Sequence, residues 1–322
     1  MNLLYLSRSD VEAADVSMSE VIRAVEAVFV EKGNHRVEMP PKPGIHPLQD
    51  AFIHAMPAFI PNMGAAGLKW VSGFPQNLLR SLPYISGLLI LNDAQTGIPL
   101  AVMDCTWITA MRTGAATAVA AKYLARSESR TLAICGCGVQ GRSNLESLKI
   151  VFPKLARVQA YDVSPATVDV FCRDAARRWS LDAVACTSPR EACREADIIV
   201  TAIPISKHPT PVIEREWLRD GAFLSPVDLD SYVKPEVFAA AAKYYTDDLE
   251  QQQYFKKIGY FANLREPDGD LGELLCGRKS GRENGNELTV VMNVGLAIED
   301  IATAMVVYQH AKAKRLGVSL PL

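Results

Sequence analysis

Residues 131–141 read Thr131-Leu132-Ala133-Ile134-Cys135-Gly136-Cys137-Gly138-Val139-Gln140-Gly141. An apolar run of strand character leads into three glycines spaced G-x-G-x-x-G, and a helical pattern from Val139 to Val151 follows. At such a turn the first glycine permits the tight bend. The second lets backbone N–H groups approach a pyrophosphate, and the third lets helix and strand pack closely. The helix N-terminus adds unpaired N–H groups and partial positive charge. The spacing alone is a weak signal, but the flanking strand and helix strengthen it. Cofactor contacts are therefore expected at Gly136, Gly138, Val139, Gln140 and Gly141. An acid closes the next strand, Val158–Tyr161: Asp162 is placed to accept hydrogen bonds from ribose hydroxyls, and its charge repels a 2′-phosphate, which favours NAD over NADP. The structural alternative for Asp162 is a helix N-cap before Pro165.

Downstream of this turn, strands and helices alternate. Helices are expected over Pro165–Trp179 and Pro189–Arg194, and strands over Ala183–Cys186, Ile198–Ala202, Ala222–Val227 and Leu288–Met292, the last strand in the chain. This is the βαβ grammar of an open parallel sheet. Thr201 and Ala202, at the end of the strand Ile198–Ala202, are counted among the cofactor contacts. Upstream, an alanine-rich helix over Thr106–Arg126 bridges to an α+β region. There Ser17-x-x-Glu20 has capping-box form and opens a helix to about Lys32. Strands are expected at Leu3–Leu6, Phe52–Phe59 and Leu68–Val71, with a hairpin joining Tyr84–Leu91 to Ile98–Met103. A long helix, Leu296–Lys314, returns to this first region.

With 34 Lys plus Arg against 36 Asp plus Glu, the chain lacks the positive excess of proteins that grip nucleic acid. Its apolar runs fall short of a membrane span, and the N-terminus does not read as a signal peptide. Seven cysteines without paired ligand spacing, and scattered histidines, give no metal site and suit a reduced, cytoplasmic protein.

Several segments together resemble the ornithine cyclodeaminase/mu-crystallin family. They are Met56-Pro57, Gly67-Leu68-Lys69-Trp70-Val71-Ser72-Gly73-Phe74-Pro75, Asp93-x3-Gly97-x-Pro99, Met111-Arg112-Thr113-Gly114-Ala115-Ala116, the glycine turn, and Gly281-Arg282 through Gly295-Leu296-Ala297-Ile298-Glu299-Asp300. The resemblance implies an α/β protein with a Rossmann-type, doubly wound parallel sheet plus a smaller α+β domain that binds substrate and dimerises. The expected division is 1–112 with 305–322 for the smaller domain and 113–304 for the NAD-binding domain. The resemblance also implies NAD-dependent chemistry at the Cα–N bond of a small amino acid: an amino-acid dehydrogenase or an imine or ketimine reductase. Alternatives are a cyclodeaminase that recycles its NAD and a crystallin-like protein that binds NAD without turnover.

The same resemblance supplies the site residues. Lys69 faces substrate in the family, where an ammonium can bind a carboxylate or, desolvated, shuttle a proton; taken alone, a strand lysine is usually solvated. Arg112 becomes a bidentate clamp on the α-carboxylate rather than a surface helical arginine, and Thr113 a contact to cofactor phosphate. Asp230 takes the catalytic aspartate's place, with Asp228 where the family has a glycine; both follow a strand end, and both have a loop role as the alternative. Lys42 stands nearest to a family arginine. His54 replaces a glutamate that receives a distal amino group in ornithine cyclodeaminases, which favours the dehydrogenase or imine reductase; a strand residue bonded to backbone is the other reading.

Overall fold

The computed structural model describes all 322 residues. They form two compact units, Met1–Arg112 with Gly295–Leu322, and Thr113–Val294. The helix Thr106–Leu124 runs through the first boundary. The second boundary differs from the expected 304/305. The helix Ala297–Lys314 packs along its length on the strands Phe52–Ile60 and Ala65–Gly73 and on the helix Met18–Gly33, so it belongs wholly to the first unit. Close approach explains the attachment: a Cβ at Gly67 would lie 2.8 Å from Ile301 Cδ1.

The first unit is built on a seven-stranded mixed sheet in the order Val318–Pro321, Asn2–Leu6, Pro99–Asp104, Ile85–Asp93, Ala65–Gly73, Phe52–Ile60, Gly44–Ile45. Val318–Pro321, not the segment at 288–292, is the last strand; it pairs antiparallel with the first. Its four residues are all exposed and too few to establish a period, which hides it from the pattern. Ser17 and Glu20 form the expected reciprocal cap of Met18–Gly33. Side chains alternate across the sheet. Met56, Lys69, Leu89 and Met103 are cross-strand partners on the buried face. Trp70 and Leu88, paired on the opposite face, are exposed.

The second unit holds an eight-stranded sheet whose pairings are all parallel: Gly269–Asp270, Lys243–Thr246, Thr289–Met292, Phe223–Pro226, Ile198–Thr201, Thr131–Cys135, Arg157–Tyr161, Asp182–Ala185. From Thr131–Cys135 the chain first winds outward to Asp182–Ala185, then returns to place Ile198–Thr201 on the other side. The switch point therefore lies between Thr131–Cys135 and Ile198–Thr201, where open sheets of this kind bind ligands. Lys243–Thr246 and the helix Leu249–Lys257 were not anticipated, because a four-residue strand with two tyrosines lacks a clear period.

Candidate functional site

In the second unit the glycine turn sits at the switch point. Gly136 has φ 104°, and a Cβ there would meet the Ala202 carbonyl oxygen at 2.4 Å. A Cβ on Gly141 would lie 2.1 Å from the Gly136 oxygen and 2.9 Å from Ile134 Cγ2. These two glycines are required by the protein's own packing. Gly138 differs: nothing lies within 4 Å of the place a Cβ would occupy. It is the N-cap of Val139–Val151 and offers no side-chain cap, so the first N–H groups of that helix await an acceptor. Open space above one glycine, beside uncapped donors, fits a dinucleotide pyrophosphate.

Asp162 ends the neighbouring strand. Its carboxylate accepts from the Cys137 N–H at 2.9 Å and from the Ser164 N–H at 3.0 Å. The N-cap of the following helix is Ser164, not Asp162, so the carboxylate stays with the turn. Ala202 donates its N–H to the Cys135 carbonyl at 2.7 Å, which ties the two strand ends at the switch point.

Asp228 and Asp230 diverge. Leu229 between them adopts φ 63°, the left-handed region, with its side chain buried. Asp228 turns inward, 1% exposed, and accepts from Thr201 Oγ1 at 2.7 Å and the Ile203 N–H at 3.0 Å. Burial pushes its carboxyl up to about 7, against those two hydrogen bonds. Asp228 and Thr201 thus bond one another and tie the strand ends together. Asp230 is partly buried, accepts from the Phe261 N–H at 3.2 Å, and has its carboxyl raised by burial. Sequence reading missed Asn293, just past the strand Thr289–Met292. Both its side-chain amide atoms are shielded from solvent and lack a hydrogen-bond partner. A single polar residue after an apolar run carries no pattern that marks it.

In the first unit a second cluster forms on the buried face of the sheet. Lys69 is 1% exposed, which excludes the solvated alternative. Its Nζ lies 2.7 Å from Asp300 Oδ1 and donates to Thr109 Oγ1 at 3.4 Å. Arg112 is also buried: Nε donates to Asp300 Oδ1 at 3.1 Å and Nη1 to Glu299 Oε2 at 2.9 Å. Gly295, at φ 80°, makes room for this guanidinium, since a Cβ there would lie 2.6 Å from Nη1. Burial foremost, then the Arg112 charge, lowers the Lys69 pKa, while Asp300 and Cys105 oppose the shift. Lys42 is buried and donates to the Gly295 carbonyl at 2.9 Å. Thr113 is buried at the start of the second unit.

His54 stacks on Phe52, with ring centroids 4.3 Å apart, and lies against Gly44, where a Cβ would collide with it at 2.3 Å. Burial lowers its pKa to about 3, and the Lys42, His46 and Lys69 charges reinforce the shift, so the imidazole is neutral. Glu299 and Asp300, both fully buried, hold the two cations. They entered the sequence reading only as part of the C-terminal segment. Acids in a first helical turn usually complement the dipole, and nothing in their spacing points across the sheet.

The two units thus define a class: an α/β chain with a dinucleotide-type turn in one unit and a buried cationic cluster, suited to a small carboxylate, in the other. Residues 2–315 match the model of the ornithine cyclodeaminase/mu-crystallin family, and the chain belongs to that family. It is 37% identical over 328 residues to an alanine dehydrogenase of Archaeoglobus fulgidus, with 98% of each chain covered. It also resembles the solved structure of the Thermococcus litoralis Delta(1)-pyrroline-2-carboxylate reductase in complex with NADH and L-proline. There the identity is 33%, the TM-score 0.89 and the coverage 99% of this chain and 100% of that one. An archaeal alanine dehydrogenase dimer with bound NAD is 35% identical, with a TM-score of 0.88 and both chains fully covered.

Proposed function

We propose that this chain is an NAD(H)-dependent oxidoreductase acting on the Cα–N bond of a small α-amino acid or its cyclic imine, as an amino-acid dehydrogenase or imine reductase. The observation that carries the reading is Lys69: a side chain sealed from solvent, ion-paired to Asp300 beside Arg112, in a chain whose other unit carries a dinucleotide-type turn. The relatives named above, with alanine dehydrogenase and pyrroline-2-carboxylate reductase among them, support the same chemistry.

Bound NAD(H) supplies or accepts the hydride at C4 of its nicotinamide. The turn at Gly136–Gly141 holds its pyrophosphate, Asp162 its ribose, and Asn293 presents a donor and an acceptor to a polar group. The Asp162 carboxylate selects NAD over NADP. Arg112, with Lys42 nearby, holds the substrate carboxylate. In the oxidative direction Lys69 acts as the neutral amine, the form its burial-lowered pKa favours: it takes a proton from the substrate ammonium, and Cα then loses hydride to leave an iminium. Water, activated by Asp230 or Lys69, adds to the iminium and gives a 2-oxo acid and ammonium. In reverse, Lys69 returns the proton to nitrogen. The neutral His54 offers no counter-charge to a distal ammonium, which disfavours ornithine.

The protein works as a homodimer in the cytoplasm. Pro57, Leu68, Trp70, Leu88, Ile90 and Val102 form an apolar sheet face opposite the helices, of the kind that self-association covers. All seven cysteines are unpaired, and no helix is long and apolar enough to cross a membrane.

A panel of L-amino acids with NAD, and of cyclic imines or 2-oxo acids plus ammonium with NADH, tests the activity by the NADH absorbance band. Turnover of at least one small substrate is expected. No change with any of them overturns the reading, and proline formed from ornithine without net NADH replaces it with cyclodeamination.

A further inference from the structure

One charged atom in the first unit lacks any partner. Asp300 Oδ1 receives both the Lys69 ammonium, at 2.7 Å, and the Arg112 Nε–H, at 3.1 Å, while Oδ2 is buried and accepts no hydrogen bond. A buried carboxylate oxygen without a donor is costly, because it has given up its hydration and gained nothing in return. Such an orphan marks a place for a donor that the protein's own groups do not supply. The surroundings narrow what that donor is. Around Asp300 stand Lys69 on a strand, Arg112 and Thr109 on the alanine-rich helix, Cys105 before it, and Glu299 beside it. Glu299 spends its oxygens on Arg112 and on the Leu296 N–H. The cations suit a carboxylate, and Asp300 Oδ2 is the acceptor left over for a cationic N–H.

We propose that Asp300 is a substrate-binding residue: its Oδ2 accepts the N–H of the substrate's ammonium or iminium, while its Oδ1 locks the two cations that hold the carboxylate. The assignment deepens the function proposed above and rests on it. An α-amino acid and a cyclic imino acid both carry a carboxylate and a protonated nitrogen on one carbon, Cα. Asp300 presents two oxygens on one carbon, one facing each charge. A 2-hydroxy or plain carboxylic acid offers nothing of equal charge to Oδ2. The chemical class this corner reads is therefore the zwitterion, and the selection is made at nitrogen.

Paired ligands test this. L-proline and cyclopentanecarboxylate differ by the ring N–H₂⁺ against CH₂. Their dissociation constants are measured by titration calorimetry on the protein saturated with NADH, wild type against Asp300→Asn. The asparagine keeps an oxygen for Lys69 and Arg112 but places an NH₂ donor where Oδ2 was. In wild type, proline is expected to bind at least tenfold more tightly than its carbocyclic analogue. In the variant that ratio is expected to fall about tenfold, with the analogue's own affinity changing less than threefold. Equal weakening of both ligands overturns the assignment and leaves Asp300 a merely structural anchor, with the function untouched. A wild type that binds NADH but neither ligand overturns the assignment, and the function then stands or falls on the substrate panel above. If Asp300→Asn does not fold, a crystal of the wild type with L-proline decides: nitrogen within hydrogen-bond distance of Oδ2 supports the proposal, and nitrogen turned away overturns it.

Discussion

The two units carry candidate sites made of opposite materials. The dinucleotide turn of the second unit is a backbone device in which glycines do the shaping: two are demanded by contacts of 2.4 and 2.1 Å, and one, Gly138, leaves a space. The cluster of the first unit is a side-chain device in which Lys69, Arg112, Glu299 and Asp300 are sealed together and orient one another. Backbone sites tolerate drift in their surroundings, since N–H groups at a helix start are fixed by the helix itself. A buried charge cluster has no such tolerance, because each charge depends on its partner. Chemistry that needs a proton moved belongs in the second kind of site, and anchoring belongs in the first.

The largest effect that would sharpen this contrast comes from Lys69→Gln. Amide for ammonium keeps a donor near Asp300 and removes the proton carrier. Turnover is expected to fall about 10²–10⁴-fold, the range for a general acid–base group, while NAD(H) affinity, measured by fluorescence titration, stays within twofold. Loss of cofactor binding instead would break the division of labour between the units. Arg112→Lys comes next. It keeps the charge but loses the fork that meets Glu299 and Asp300 separately. Steady-state kinetics should show the substrate KM raised about 10–100-fold, with a smaller change in kcat. An unchanged KM removes Arg112 from the carboxylate site. Gly138→Ala is the counterpart in the turn. Nothing in the protein opposes the added methyl, so the melting temperature should move by less than about 2 °C, within the usual range for a surface change. The NAD dissociation constant should rise about tenfold as the methyl enters the phosphate's space. Unaltered affinity would place the pyrophosphate elsewhere.

The difference in materials also decides what the sequence discloses. The turn lies within eleven consecutive residues, so local spacing announces it, and Asp162 follows at the end of the next strand. The charge cluster draws on the strand at Lys69, the helix at Arg112 and a third element at Asp300, 188 positions beyond Arg112. No local pattern links them. Lys69 and Arg112 come into view only through the resemblance of their segments, and their acid partners only as part of the C-terminal segment, with no role attached. Asp228 shows the converse. Two carboxylates two positions apart read as a pair, but the left-handed Leu229 turns one of them into the core. Backbone conformation at one non-glycine residue is not a property that composition or period records.

The smallest effect concerns stability, and it sets one buried group of each unit against the other. His54 in the first unit has its pKa lowered to about 3. The unfolded chain takes up that proton through about 6.5, so the stability present above this pH is lost progressively as pH falls. Asp228 in the second unit has its pKa raised to about 7. The unfolded chain releases its proton through about 3.9, so the stability present below this pH is lost as pH rises toward 7. Between about pH 4 and 6.5 the two contributions have opposite slopes, each at most about 1.4 kcal/mol per pH unit, and largely cancel. Denaturant melts at pH 4.5, 5.5 and 6.5 separate them. Relative to wild type, His54→Gln should lose stability as pH rises across this window, because Asp228 is left uncompensated. Asp228→Asn should gain stability as pH rises, because the imidazole then acts alone. Slopes of the same sign for the two variants would mean that one of these groups is not buried in the form described, and the histidine, stacked on Phe52 at the edge of the cationic cluster, would be the first to re-examine.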